Sequence, residues 1–391
     1  MQYRRIENSE VLMNTVERGS TQGSRDATLP PHNAPQSSEE MAPHSEHTRR
    51  PLKKHATKDT RHKGSRWRRW ARRIGVLFVV VLSVTGAASI YRIFAGTPDV
   101  GYFRSTDGRA EYVKHYDEAM KTLPAPTAQH DIDTSFGIVR AYEWSTPETE
   151  STTPVVLIPG RSSGVPMWQS NLEGFSLAHR VIAFDALGDA GMSLQSVPLD
   201  SFEDQAVWID EVLGELAPDG VHLVGHSFGG ATAAVYARLH PEHVHTLTLL
   251  EPVFTFSYPS VSMMWWATVA SLPGIPQGVR EHALGKIAGE KYERSDDPMT
   301  LMIESGTAHF SAELPTPSPL SADQAVALTM PVYVAIAGRD SLAGGEGGAD
   351  KARELLPHAT VQVWPNATHS LPMQEANPLA EFLNGFWADS E

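Results

Sequence analysis

The segment Gly225-His226-Ser227-Phe228-Gly229 lies between a short apolar run, Val221-His222-Leu223-Val224, and a stretch of small residues from Ala231 to Leu239. A serine in a G-x-S-x-G turn between a strand and a helix is the nucleophile-elbow pattern. Its hydroxyl projects from a tight, strained turn, and Gly225 and Gly229 stand where a Cβ would clash. The N–H of Phe228 falls at the helix N-terminus, where unpaired amides and the helix dipole favour a developing oxyanion. A serine is a poor nucleophile until an oriented base takes its proton. His369 stands in the right place for that base, after the apolar run Thr360 to Trp364. Asp340 is the preferred acid, following the run Val332 to Ala337 through Gly338-Arg339. Glu251, at the end of the run Thr246 to Leu250, is the alternative acid. A second oxyanion amide is expected in the loop Pro159 to Gly164, at Arg161 in preference to Ser162.

These side chains need a scaffold, and the apolar pattern supplies one. Val155 to Ile158, Arg180 to Phe184, Val221 to Val224, Thr246 to Leu250, Val332 to Ala337 and Thr360 to Trp364 read as short buried strands. Helical stretches such as Phe202 to Leu216 and Ala231 to Leu239 separate them. Continuous apolar strands alternating with helices predict an α/β fold, a mostly parallel sheet with helices on both faces. Sites in such folds lie beyond the C-terminal strand ends. Upstream, Asp107 to Thr122 has helical spacing, and Asp131 to Thr134 with Ile138 to Trp144 reads as a strand pair. Pro252 to about Ala322 breaks the rhythm and is expected to be a helical lid carrying Met263-Met264-Trp265-Trp266. Phe184 to Ser193 lacks phosphate-loop spacing and reads as a structural turn near the site mouth. The glycines after Asp340 (Gly344, Gly345, Gly347, Gly348) predict a mobile loop.

The formal charge of −14 conceals an asymmetry. Residues 1–73 hold 16 basic against 8 acidic side chains; the chain's totals are 32 and 46, so the remainder holds 16 against 38, a net of −22. An acidic body argues against nucleic acid as a partner. Residues 1–65, rich in Ser, Thr, Pro, His and charge, read as a disordered basic tail. Residues 66–95 contain Arg66-Trp67-Arg68-Arg69-Trp70 and then an uncharged run, 74–91, near the lower length limit for a membrane-spanning helix. The basic excess before that run predicts a single-pass anchor with a cytoplasmic N-terminus and an extracytoplasmic body, residues 96–391. A cleaved export signal is the competing reading. The chain has no cysteine, which excludes disulfides and thiol chemistry. Histidine–carboxylate pairs at metal-ligand spacing are not evident, so no metal and no cofactor is expected.

From about Tyr102 onward the sequence resembles the α/β-hydrolase superfamily, and within it bacterial carboxylesterase-like hydrolases. The resemblance rests on Phe103-Arg104-Ser105, Gly108-Arg109, Tyr112, Asp185 with Gly188-Asp189-Ala190-Gly191, the elbow, Leu249-Leu250-Glu251-Pro252 and Asn366-Ala367-Thr368-His369. Where relatives carry His-Gly after the first buried strand, this chain has Pro159-Gly160. The resemblance implies Ser227 as nucleophile, His369 as base and Asp340 as acid, in the superfamily's chain order. Phe228 and Arg161 would supply the oxyanion amides. It implies cleavage of a small-molecule or lipid-like carboxylic ester without a cofactor. Amide or peptide cleavage on the same residues and a non-catalytic envelope binding module are the alternatives.

Overall fold

The computed structural model describes residues 99–390 apart from 273 and 290–295, together with isolated positions between 70 and 83. The expected tail and most of the apolar run 74–91 lie outside the described residues. No described helix is long and apolar enough to cross a membrane. The chain divides into two units, 1–81 and 82–391, and the second carries the fold.

In chain order that unit runs β1 (Tyr102–Phe103), α1 (Thr106–Met120), β2 (Ala128–Thr134), β3 (Gly137–Trp144), β4 (Val155–Ile158), α2 (Leu172–Phe175), β5 (Val181–Phe184), β6 (Leu194–Gln195) and α3 (Asp204–Leu216). There follow β7 (Val221–His226), α4 (Phe228–Leu239), β8 (Val244–Leu250), α5 (Val261–Ser271), α6 (Gln277–Ala288), α7 (Pro298–His309) and β9 (Phe310–Ser311). The chain ends with α8 (Ala322–Ala325), β10 (Val332–Ala337), α9 (Gly345–Leu355), β11 (Thr360–Trp364), α10 (Leu371–Gln374) and α11 (Ala376–Ala388).

One sheet organises the unit, in the order β11-β10-β8-β7-β4-β5-β3-β2, with β6 beside β3. The strands from β11 to β5 are parallel; β3, β2 and β6 join antiparallel. Every residue of β4, β5, β7 and β10 is buried, as expected for strands covered on both faces. One face packs on α3, α4 and α9 through Ile209, Val212, Ala234 and Ala352. The other packs on α1 and α11 through Tyr112, Tyr116, Leu383 and Trp387. Helix α4 can lie close to the sheet because its inner residues are small, including Gly229, Gly230, Ala231 and Ala233.

Two expectations change in detail. The glycines after Asp340 do not form a mobile loop: Gly344, at φ 97°, caps α9, which begins at Gly345. Glycine is used there because the left-handed cap is strained for any residue with a Cβ. The interval from Pro252 is helical but not strand-free, since β9 pairs antiparallel with β1.

A buried histidine makes the sheet sensitive to acid. His222 on β7 is fully buried, and its Nδ1 lies 2.9 Å from Thr246 Oγ1 on β8. Burial, then the neighbouring His179 and His245, pushes its pKa down from 6.5 to about 3. The folded protein keeps this ring neutral where the unfolded chain protonates it, so stability falls as pH drops from about 6.5 toward 3. The limiting slope is about 1.4 kcal/mol per pH unit for one such group. Urea denaturation between pH 7 and 4 should show this loss, and His222→Gln should flatten it; an unchanged slope would count against the burial argument.

Candidate active site

The site forms at the C-terminal ends of β7, β8, β10 and β11. Ser227 follows β7 directly and has φ 56° and ψ −122°, a conformation costly for any residue with a Cβ. The turn closes because its neighbours are glycines. A Cβ at Gly225 would lie 2.3 Å from Gly229 O, and one at Gly229 would lie 2.3 Å from Pro159 O. Backbone bonds brace the turn: Ser227 N–H donates to Leu250 O (3.0 Å), and Ser227 O accepts from Gly230 (3.0 Å) and Val253 (3.1 Å).

His369 stands on the loop after β11, its Nε2 3.0 Å from Ser227 Oγ and its Nδ1 3.1 Å from Glu251 Oε2. Glu251, not Asp340, therefore faces the histidine. Its carboxylate is fully buried. Oε1 accepts from Ala337 N–H (2.7 Å) and Ser341 Oγ (2.7 Å), and Oε2 accepts from Leu342 N–H (3.0 Å). Asp340 is exposed and makes no hydrogen bond to His369. Its Cβ packs at Gly289, just past α6, where an added Cβ would lie 2.6 Å away. The reason is geometric. β8 lies between β7 and β10, and Glu251 N–H is bonded to Ala335 O of β10 (2.8 Å). From that position a glutamate reaches across the end of β10 to the β11 loop. The turn carrying Asp340 contributes Ser341 and Leu342 to holding Glu251.

The loop after β4 supplies the opposite wall. A Cβ on Gly160 would lie 3.1 Å from Ser227 Cβ, so the backbone of this loop runs against Ser227. Ser162 N–H is committed to Asp189 Oδ2 (2.7 Å), whereas the Arg161 amide has no backbone acceptor among the described residues. The Arg161 guanidinium lies 5.4 Å from the centroid of the Phe228 ring. The segment Phe184 to Ser193 proves to be the loop's support. Buried Asp185 accepts from Val165 N–H (2.8 Å) and Met192 N–H (2.7 Å), and Asp189 also accepts from Ala190 N–H (2.8 Å). Burial raises the pKa of both carboxyls, against the lowering effect of these backbone bonds.

His226 occupies the variable position of the elbow and was not legible as a site residue. It is buried, its ring centroid is 4.9 Å from that of His369, and its Nε2 lies 3.0 Å from His369 O. Burial and then the adjacent His369 push its pKa down to about 3. The ring is thus neutral at pH 7, and the carbonyl acceptor places its proton on Nε2. It fixes the backbone of the histidine that faces Ser227.

One cluster corrects the spacing argument about metals. Asp210, His240 and His243 bring ligand atoms within 4.8 Å of one another at the far end of α4 from Ser227. Asp210 Oδ1 there lies 3.1 Å from His243 Nδ1 and accepts from Tyr236 Oη at 3.3 Å.

Comparison with known proteins agrees with the fold. A family model described as alpha/beta hydrolase fold matches residues 153–284, which include Arg161, Ser227, Phe228 and Glu251 but not His369. The uncharacterized carboxylesterase nap of Bacillus subtilis (strain 168) is 28% identical over 151 residues, 39% of this chain and about half (49%) of that protein. Carboxylesterase YbfK of the same organism is 21% identical over 289 residues, 70% of this chain and 92% of that protein. The crystal structure of carboxylesterase CesB (YbfK) from Bacillus subtilis aligns with a TM-score of 0.67 at 18% identity, covering 73% of this chain and 100% of that one. The chain has the α/β-hydrolase fold and resembles bacterial carboxylesterases.

The two carboxylates can be separated by the reactivity of Ser227 toward a fluorophosphonate. Removing the charge that orients His369 in Glu251→Gln should slow labelling by about 10⁴-fold. Asp340→Asn should stay within about threefold of the parent, since a change at an exposed group away from the base leaves its orientation intact. Circular dichroism establishes that both variants fold, and the reverse ranking would restore Asp340 as the acid.

Proposed function

We propose that the chain is a serine hydrolase that cleaves a carboxylic ester through an acyl-enzyme, with Ser227, His369 and Glu251 as its catalytic unit. The observation that carries this reading is the continuous line from Ser227 Oγ through His369 to the buried Glu251 carboxylate, at 3.0 and 3.1 Å. The similarity to bacterial carboxylesterases supports the ester as substrate class.

His369 Nε2 takes the Ser227 proton as Oγ attacks the ester carbonyl carbon. The carbonyl oxygen becomes an oxyanion and is met by the amides of Phe228 and Arg161. His369 then gives its proton to the leaving alkoxide, and the C–O bond breaks to leave an acyl-serine and a free alcohol. Water, deprotonated by His369, attacks the acyl carbon and releases the carboxylic acid, and Ser227 recovers its proton. Glu251 keeps the Nδ1 proton in place and stabilises the imidazolium between the two proton transfers. Aligning the groups beforehand spares the reaction their reorganisation, the larger part of what such a site contributes.

In the same reading residues 74–91 tether the enzyme to the cell membrane, with the basic tail in the cytoplasm and the hydrolase body outside it. The positive excess before the apolar run and the strongly acidic body after it support this orientation.

Ser227→Ala should lower kcat on a short-chain aryl ester by about a millionfold, since such residues act as a unit. Mass spectrometry of the fluorophosphonate-treated full chain should place the adduct on Ser227. A folded protein that neither labels nor turns over the ester would instead be a binding module on a hydrolase fold.

A further inference from the structure

The insertion between β8 and β10 has a surface unlike that of the rest of the body. From Pro252 to Val279, 28 consecutive residues include no Asp, Glu, Lys, Arg or His, in a body with 38 acidic side chains. Helix α5 lies in this stretch and buries only Val269 and Ala270. Val261, Met264 and Trp265 on the helix and Leu272 at its C-cap are exposed, Val261 at 80% and Trp265 at 62%. Positions 261, 264, 265, 268 and 272 follow one side of a helix, so these side chains form a stripe interrupted only by Thr268. Tyr258, two residues before the helix's N-cap, is exposed as well. No other described helix of the body exposes more than one large apolar side chain. Such a patch marks an interaction surface, since leaving it in water is unfavourable.

The chain enters the fold beside this insertion. β1 is the first strand of the body, and it pairs with β9 directly after α7 (Tyr102↔Ser311, Phe103↔Phe310). Arg104 Nη1 donates to Ala308 O of α7 at 2.9 Å. Buried Arg280 of α6 joins all three helices of the insertion, donating to Ala270 O and to Leu272 O (3.1 Å) beside α5 and to Thr307 O (3.3 Å) of α7. The polypeptide therefore enters the body at the insertion's last helix. The apolar run ends at Tyr91, and the residues from there to Tyr102 reach at most about 40 Å when fully extended.

We infer that the exposed stripe of α5 docks on the lipid bilayer that carries the tether, and that the substrate is an ester dissolved in that bilayer. The inference rests on the hydrolase and tether readings above. The chain after residue 73, with a net charge of −22, gains nothing electrostatically from an anionic membrane, so its docking face has to be apolar, and α5 supplies that face. A tryptophan on an otherwise apolar side suits the headgroup boundary. The insertion also meets the site at both ends. Pro252 packs on Gly230 of α4, and Gly289 stands beside Asp340 and Thr368, next to His369. An ester leaving the bilayer under α5 is thereby delivered to Ser227.

The absence of cysteine allows a direct test on the full chain in phosphatidylcholine nanodiscs. Val261→Cys and Val326→Cys each carry one environment-sensitive fluorophore; Val326 is 77% exposed and precedes β10, at the sheet end opposite the site. The probe at 261 should shift to the blue and be quenched by spin-labelled lipid, and the probe at 326 should do neither. Equal, water-like behaviour of both probes would overturn the docking. In parallel, Trp265→Glu should lower turnover of a long-chain ester held in the nanodisc on the order of tenfold or more and leave a soluble short-chain ester unaffected, because a charge at the bilayer boundary opposes insertion alone. Equal loss on both esters would also overturn it. If the parent protein cleaves neither ester, the hydrolase reading fails, and the fluorescence result still decides the docking.

Discussion

The buried carboxylate of Glu251 is the constraint on which the rest of the site depends. A carboxylate removed from water is costly unless its lone pairs are met by donors. Here four donors meet it: two backbone amides, a hydroxyl and an imidazole. They come from the end of β10, from the turn after it and from the loop after β11. Satisfying one charge therefore fixes three segments distant in sequence. The same strand end holds Ser227, because Leu250 O accepts from Ser227 N–H and Ser227 O accepts from Val253 N–H. Ser227 and Glu251 both have positive φ without being glycine, and each strained turn is braced by bonds to neighbouring strands.

The parts of this arrangement that were legible in the sequence are those set by local pattern. Val155 to Ile158 and Val332 to Ala337 are continuous apolar runs, and the strands occupy those residues. Ser227 was legible because its turn requires glycines at fixed offsets, and His369 because it follows the last apolar run. The partner of His369 was not. Two strands end in a carboxylate, and the chain order of serine, acid and histidine suits either. What separates them is that β8 lies beside β7 and that the glutamate is one methylene longer, which lets it cross the end of β10. Strand adjacency is a property of the folded sheet and leaves no local mark. His226 escaped notice for a related reason: its partner is a backbone carbonyl 143 residues away, which no side-chain motif records.

The loop that faces Ser227 from β4 is built by a different logic. The loop Pro159 to Gly164 has no rigid element of its own and is held from outside by two buried aspartates of the β5–β6 connection. Burial works against their ionised form, and backbone amides offset that cost. Because Ser162 N–H is consumed in this support, the free amide falls to its neighbour Arg161. A substitution at Asp189 therefore acts on Arg161 through the backbone between them.

The insertion meets these arrangements at Val253, whose N–H donates to Ser227 O, and at Gly289 beside Asp340. Its helices α5 and α6 share a small core of their own, Val269, Ala270 and Ala283 with Trp266, Ile275 and Leu284 around it. That core is separate from the two that cover the sheet. Small satellite cores open at lower free-energy cost than the cores beneath a central sheet. On the proposed reading, chemistry and access fall to different parts of the chain. The strand ends and the loop after β11 hold Ser227, His369 and Glu251 through hydrogen bonds of their own. On the proposed reading the insertion governs which molecules reach them, while the donors around Glu251 come from outside it, from Ala337, Ser341, Leu342 and His369. Fold alone does not select a substrate; on the reading proposed above, the uncharged surface of α5 is what sets this chain's substrate apart from those of the carboxylesterases it resembles.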